Sequence, residues 1–186
     1  MSARDVISKG EAKMKKSIES FQHEIASVRT GKATTALLDR VKVDAYGQQM
    51  PLKQVGNVGV QDAHTLMVQV WDKSMVAATE KAIRDANLGL NPAAEGQSIR
   101  VSIPPLTEER RKEYVKLTRK YSEDSKIALR NLRREILHAL DKLEKDKQIS
   151  EDEKSRGKKD ADDLVHKYEK RILDIVGQKE KEIMEV

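Results

Sequence analysis

Apolar residues recur at helical spacing near both ends of the chain and alternate in the middle. Over residues 2–29, Ile7, Met14, Phe21 and Val28 share one heptad position and Ile18 and Ile25 a second. Glu11 falls in that second position and weakens the seam at its start. The spacing predicts one long amphipathic helix, in which Gly10 is a tolerated weakness of about 1 kcal/mol relative to alanine. From Thr107 to about Lys145, the residues Tyr114, Leu117, Tyr121, Ala128, Leu132, Ile136, Ala139 and Leu143 line one side of a second helix. Thr107 caps it, and Glu108 and Glu109 in its first turn complement the helix dipole. After a turn at Asp146–Ile149, Ser150 and Glu153 form a capping box for a third helix that runs to about Met184. Its stripe is Ala161, Leu164, Val165, Tyr168, Ile172, Ile175 and Val176, with Gly177 interrupting late. Three such helices can bury one another's stripes as a three-helix bundle.

The pattern breaks at Thr30-Gly31. Segments Val41–Tyr46, Gln48–Leu52, Gly56–Gln61, His64–Val70 and Ser98–Ile103 read as strands, the first two separated by Gly47. Ser74–Ala86 reads as a short helix with Ser74 as its cap, ended by Asn87-Leu88-Gly89. Composition changes with the pattern. Residues 31–104 hold 15 of the 67 charged residues, and all four prolines and six of the nine glycines lie within 31–105. The fold class expected is therefore α+β: a long antiparallel three-helix bundle from residues 1–30 and 106–186, with an inserted strand-rich domain over 31–105. The two crossings, Thr30, Gly31, Lys32 and Ala33 on one side and Ile103, Pro104, Pro105 and Leu106 on the other, are a candidate hinge. Pro104-Pro105 makes the second crossing extended and stiff.

Charge singles out the second helix. On a wheel, Lys112, Lys116, Arg119, Lys126, Arg130, Arg133 and Arg134 fall within about 100° of one another, opposite the apolar side. From Arg110 to Arg134 there are ten Lys/Arg against three Asp/Glu, a net of +7, more than the +5 of the whole chain. A face that is merely solvated usually mixes signs at i and i+4, and Glu123 is the only acid on that face between Lys112 and Arg133. Guanidinium forks match phosphate, so nucleic acid is the leading partner class. A solvated face, an acidic protein and a membrane surface are the alternatives. With 3% aromatic residues and no base-stacking motif, a rod laid along folded RNA fits better than single-strand recognition.

Other chemistry is sparse. His23, His64, His138 and His166 form no H-x-x-x-H pair and there is no cysteine, so no metal site is expected. Gly31-Lys32 lacks the rest of a phosphate-binding loop, with Ala26 and Ala33 at the positions that need Gly and Ser/Thr. Glu151, Asp152 and Glu153 have a structural role at a helix N-terminus. No catalytic residue and no cofactor is expected. The absence of cysteine fits a reducing cytoplasm, and no apolar run reaches the roughly 20 residues of a membrane span.

Two long motifs carry a resemblance. Val28-Arg29-Thr30-Gly31-Lys32-Ala33 precedes the insert, and Ile103-Pro104-Pro105-Leu106-Thr107-Glu108-Glu109-Arg110-Arg111 follows it. With Leu129-Arg130-Asn131-Leu132-Arg133-Arg134 and the Ile149-Ser150-Glu151-Asp152 start of the last helix, the chain resembles the bacterial ribosome recycling factors over essentially its whole length. The resemblance implies an L-shaped molecule of two domains, a three-helix bundle and a β/α/β domain joined by a two-stranded hinge. It implies a monomeric, cytoplasmic, non-enzymatic factor. Such factors bind the large ribosomal subunit, its 23S rRNA and ribosomal proteins. With elongation factor G and GTP they split the post-termination ribosome, releasing mRNA and tRNA. On that pattern Arg29, Arg130, Asn131, Arg133 and Arg134 would touch rRNA, and Lys112, Lys116, Arg119 and Lys126 complete the candidate row. Two rivals remain from the residues alone. One is a helical adaptor for a protein partner, its charges serving only solubility. The other is an enzyme with its site in the insert, for which residues 31–104 offer no supporting feature.

Overall fold

The computed structural model describes residues 2–185. In chain order the elements are α1 (Ala3–Ala26), a 3₁₀ turn (Thr35–Leu38), β1 (Lys42–Ala45), β2 (Gln48–Pro51), α2 (Leu52–Val55), β3 (Gly56–Asp62), β4 (Thr65–Val70), a second 3₁₀ turn (Lys73–Met75), α3 (Val76–Asp85), β5 (Asn91–Glu95), β6 (Ser98–Ser102), α4 (Glu108–Lys145) and α5 (Glu151–Met184). They divide into two compact units, residues 1–28 with 112–186 and residues 29–111.

The helical unit has one core, built from all three long helices: Met14, Ile18, Phe21 and Ile25 of α1, Leu129, Ile136 and Leu140 of α4, and Ala161, Tyr168 and Ile172 of α5 among them. α4 and α5 are antiparallel, since Arg119 meets Glu180 while Lys154 meets Asp141. Both capping devices expected from the pattern form. Thr107 Oγ accepts from the Arg110 amide at 3.2 Å, and Ser150 and Glu153 cap each other's backbone.

The buried seams differ from the heptad reading. In α1 the buried positions are Val6, Gly10, Met14, Ile18, Phe21 and Ile25, and the helix ends before Val28. Gly10 is a contact rather than a weakness. A Cβ there would lie 2.3 Å from Ile136 Cδ1 and 2.6 Å from its Cγ1, so the absent side chain is what lets α4 approach. Glu11 does not weaken the seam either: its carboxylate accepts from the Tyr168 hydroxyl at 3.0 Å and from Lys167 at 3.3 Å. In α4 the buried line is Thr118, Ser122, Ser125, Leu129, Ile136, Leu140 and Leu143, so only Ile136 and Leu143 of the expected stripe are fully buried. Hydroxyl residues fill the first half of that line. Thr118 satisfies its own hydroxyl on the Tyr114 carbonyl at 2.8 Å.

In the other unit β1 and β2 form a hairpin, and β3, β4, β6 and β5 form an antiparallel sheet in that order. Leu66, Val68 and Val70 alternate into the core from β4, and Ile99 and Val101 from β6, beneath Val76 and Ile83 of α3. Besides α2 and the first 3₁₀ turn, which the sequence pattern does not predict, two further features depart from it. β5 holds Pro92, which demotes a strand in a pattern search, yet it lies at the sheet edge, where a missing amide is tolerated. The turn into α3 is capped by Asp72, not Ser74: Asp72 Oδ1 accepts from the Ser74 amide at 2.9 Å.

Two stability predictions follow from the helical core. Gly177 has open space around it, so Gly177→Ala should stabilise by up to about 1 kcal/mol through helix propensity. Gly10→Ala gains the same propensity but must displace Ile136, an overpacking cost of about 1–3 kcal/mol, so denaturant unfolding should rank it below Gly177→Ala by that amount. The second concerns Glu11 and Tyr168. The Tyr168 hydroxyl holds the Glu11 carboxyl below its ordinary 4.5, while burial, and then Glu11, push Tyr168 up to about 12. A depressed carboxyl stabilises the fold above its ordinary range and loses that contribution as the pH falls through its folded value. The stability gap between the native chain and Tyr168→Phe should therefore narrow as the pH drops below 4.5. It should also narrow as the pH rises from 10.0 towards about 12, measured by denaturant titration at each pH.

Candidate nucleic-acid interface

α4 is long, straight in pattern and capped, so it displays its polar side as a continuous row. Lys112, Lys116, Arg119, Arg130, Asn131 and Arg134 are exposed, and Lys126 and Arg133 are half-buried. The acids that α4 lacks come from α5. Arg119 pairs with Glu180 at 2.8 Å, Arg130 with Glu169 at 3.7 Å and Arg133 with Asp162 at 2.5 Å. Lys126 pairs within α4, with Glu123 at 2.8 Å. Glu123 is thus the only acid the helix itself supplies along the face, but not the only acid the face meets. Among the described residues Lys116 and Arg134 have no such partner.

These pairs hold the guanidinium groups without consuming them. Arg119 is raised above the ordinary arginine value, first by its hydrogen bond to Glu180. A guanidinium carries five N–H donors, and one carboxylate leaves several free. Exposed ion pairs contribute only about 0–1 kcal/mol, so a phosphate arriving from solvent can compete with the carboxylate at little cost. Geometrically the row is a set of oriented, solvent-facing donors on a rigid rod.

Arg29 belongs to the other unit. Its guanidinium lies over Gly89, where a Cβ would come within 3.1 Å of Nη1, and Gly89 adopts φ +67. The same unit contains both stretches expected to act as a hinge. Thr30 is buried and accepts from the Lys32 amide at 3.3 Å. Gly31 has φ +81, a left-handed conformation that only glycine adopts without strain. Its carbonyl lies 3.0 Å from His64 Nδ1. The Ala33 amide donates to the Ala63 carbonyl at 2.7 Å, and the Ile103 amide to the His64 carbonyl at 2.8 Å. Asp62 shapes this turn by accepting from the His64 amide at 2.8 Å. So the β3–β4 turn, residues 62–64, grips both crossings. Pro104 and Pro105 are exposed beyond it, and the Leu106 carbonyl accepts from Arg111 Nε at 3.4 Å.

His64 escaped the pattern reading because histidines were weighed as metal ligands. The signal available was Asp62-Ala63-His64 between two strand segments, where an aspartate two residues before an amide builds an Asx turn. Among the described residues no group of three or more His, Cys, Asp or Glu could hold a metal, and no helix is long and apolar enough to cross a membrane.

Comparison with known proteins bears on what this surface meets. The family model described as ribosome recycling factor matches residues 21–184. A ribosome-recycling factor of Chlorobium phaeobacteroides strain BS1 is 84% identical over 160 residues, 86% of each chain, and one of Chlorobaculum parvum is 76% identical over the same length. A solution structure of the ribosome recycling factor superposes with a TM-score of 0.79 at 44% identity, covering 100% of this chain and 99% of that one. A second structure presents the T. thermophilus ribosome recycling factor and the E. coli elongation factor G bound to the E. coli post-termination complex. It matches with a TM-score of 0.68 at 41% identity over 100% of both chains.

The grip on the crossings is testable on the isolated chain. Leu106 would be 3.5 Å from a Cβ at Gly31, an ordinary contact, so Gly31→Ala pays only for its conformation. It should lower the unfolding free energy of the unit by about 1–2 kcal/mol. Gly59→Ala, in a strand with open space around it, should leave stability within about 0.5 kcal/mol of the native chain in the same denaturant titration.

Proposed function

Because the chain belongs to the ribosome recycling factor family, we propose that it splits the ribosome after termination, acting with elongation factor G and releasing mRNA and tRNA. The observation that carries this reading, beyond family membership, is the oriented cation row of α4. The helical unit binds the large subunit by laying that row on rRNA phosphates, with Arg130 and Arg133 as principal contacts. Lys112, Lys116, Arg119, Lys126, Asn131 and Arg134 extend the contact, and Arg29, in the other unit, is a separate rRNA contact. The models that place the T. thermophilus relative with elongation factor G on a post-termination complex support the same two partners here. The chain carries out no covalent chemistry of its own; GTP hydrolysis belongs to the partner. It works as a cytoplasmic monomer without a cofactor.

The crossings at 30–33 and 103–106 convert a push on the inserted unit into force on the anchored bundle. Gly31 is central because its φ of +81 lies far from the −65° that proline imposes. Anchoring and transmission are separable functions in this scheme, and they fail separately.

Subunit splitting by elongation factor G and GTP, followed by light scattering, tests the reading. The Arg130→Ala/Arg133→Ala variant loses two charge-assisted contacts of about 1.5–3 kcal/mol each, so its half-saturating concentration should rise by at least about a hundredfold. Gly31→Pro should reduce the splitting rate far more than it reduces binding to large subunits. A proportional loss of both would exclude a transmitting hinge, and no splitting by the native chain would exclude recycling altogether.

A further inference from the structure

At the end of the inserted unit opposite the crossings, two aromatic side chains are held out in solvent. Trp71, the only tryptophan of the chain, is 63% exposed, and Tyr46 is 68% exposed. Burying either ring would favour the fold, so their exposure costs the isolated chain stability it could have had. Neither is a loose side chain on a loose loop. The Trp71 amide donates to the Val55 carbonyl at 3.2 Å, and its carbonyl accepts from Gln97 Nε2 at 3.0 Å. Gln97 also donates to the Val70 carbonyl at 2.9 Å, closing the β5–β6 turn onto the end of β4. Tyr46 and Gly47 form the two-residue turn of the β1–β2 hairpin, both with positive φ, 53 and 78. A bulky residue there is strained, and the Tyr46 hydroxyl is tied to Asp72 Oδ2 at 2.6 Å. Three loops are thus bolted together under two projecting rings.

We propose that Trp71 and Tyr46 form a preorganised docking surface for a protein partner that presents an aliphatic side chain beside a lysine or arginine. Rigid tryptophan and tyrosine anchors are the residues that dominate protein–protein binding energy, since little side-chain entropy remains to be lost on contact. The surrounding charge selects the class of partner. Asp72 stays ionised below its ordinary range, held first by Tyr46 and then by Ser74, whereas Glu95 at the neighbouring hairpin is paired with Arg100 at 3.7 Å. With Lys73 and Arg100 set against Asp72 and Glu95, the end carries no excess of positive charge to attract phosphate. A cationic protein side chain gains from the Asp72 carboxylate and from the faces of the rings. The location suits the function proposed above, on which this part of the inference rests. β4 leads from the gripping turn at 62–64 to Trp71, and its six residues span about 20 Å. A partner docking at that end acts on the crossings with the longest lever arm the unit provides.

The single tryptophan makes the test direct. The chain is produced with 7-azatryptophan at position 71 and excited to the red of ordinary tryptophan. It is mixed with post-termination ribosomes, elongation factor G and a non-hydrolysable GTP analogue. Emission should shift to the blue and acrylamide quenching should fall by about twofold or more as the ring leaves water. Protein-free 23S rRNA should change neither. An unchanged, quenchable signal with the full set of partners would overturn the proposal. So would the same shift with rRNA alone, which would mean base stacking. In parallel, Trp71→Ala should keep its thermal stability and large-subunit affinity while splitting falls about tenfold, with Trp71→Phe restoring most of it. Equal splitting by Trp71→Ala and the native chain would also overturn the docking surface. That outcome is distinct from a native chain that does not split ribosomes, which would instead remove the recycling function.

Discussion

Seven cations on one face of a helix repel one another, and the carboxylates that relieve the repulsion come mainly from the neighbouring helix. Glu180, Glu169 and Asp162 of α5 meet Arg119, Arg130 and Arg133 of α4 along a single antiparallel contact. That contact requires the two helices to be close and in fixed register, which the core provides. Leu140 packs against Gly157, where a Cβ would lie 2.9 Å from its Cδ1, and Ile136 packs against Gly10 of α1. The small residues set the spacing, the spacing sets the ion pairs, and the ion pairs orient the guanidinium forks. Because the pairs are exposed, they position the arginines without locking them away from another anion.

The inserted unit follows a different logic. Its stability lies in a sheet whose centre, β4 and β6, is apolar and whose edges carry the irregular features. One end of that sheet is a turn whose backbone and histidine side chain hold the two crossings. The other end is a platform of three tied loops. The left-handed Gly31 is the one position in the first crossing where the backbone itself demands a glycine.

Much of this was legible in the residues. Alternation located five of the six strands, and both capping motifs on the long helices were readable as local chemistry, since a cap depends on residues three apart. What periodicity missed had physical causes. Heptad spacing finds Met14, Ile18, Phe21 and Ile25 of the α1 seam but misses Val6 and Gly10, because a hydrophobic template cannot see that a glycine is buried by a neighbour. The α4 seam is shifted from the expected stripe because Thr118, Ser122 and Ser125 are polar in type yet buried, and a hydrophobic template passes over them. β5 was hidden by Pro92, whose tolerance depends on an edge position that exists only once the sheet is assembled. The cation row itself was visible on a wheel, but its partners were not. Asp162, Glu169 and Glu180 are 29, 39 and 61 residues away in the chain, beyond any local pattern. The turn at His64 has a local signal in Asp62, but its contacts with Gly31 and Ile103 exist only once the fold brings them together.

The most direct measurement is the salt dependence of binding to isolated large ribosomal subunits, by pelleting, for the native chain and for Arg130→Ala/Arg133→Ala. If the α4 row lies on RNA phosphates, log affinity falls with log salt by about 0.7–0.9 per phosphate neutralised, and the variant's slope is shallower by about two phosphates' worth. A flat dependence, identical in the two proteins, would mean that the row is a solvated face whose carboxylate partners already satisfy it, and the helical unit would then have to bind through its protein contacts alone.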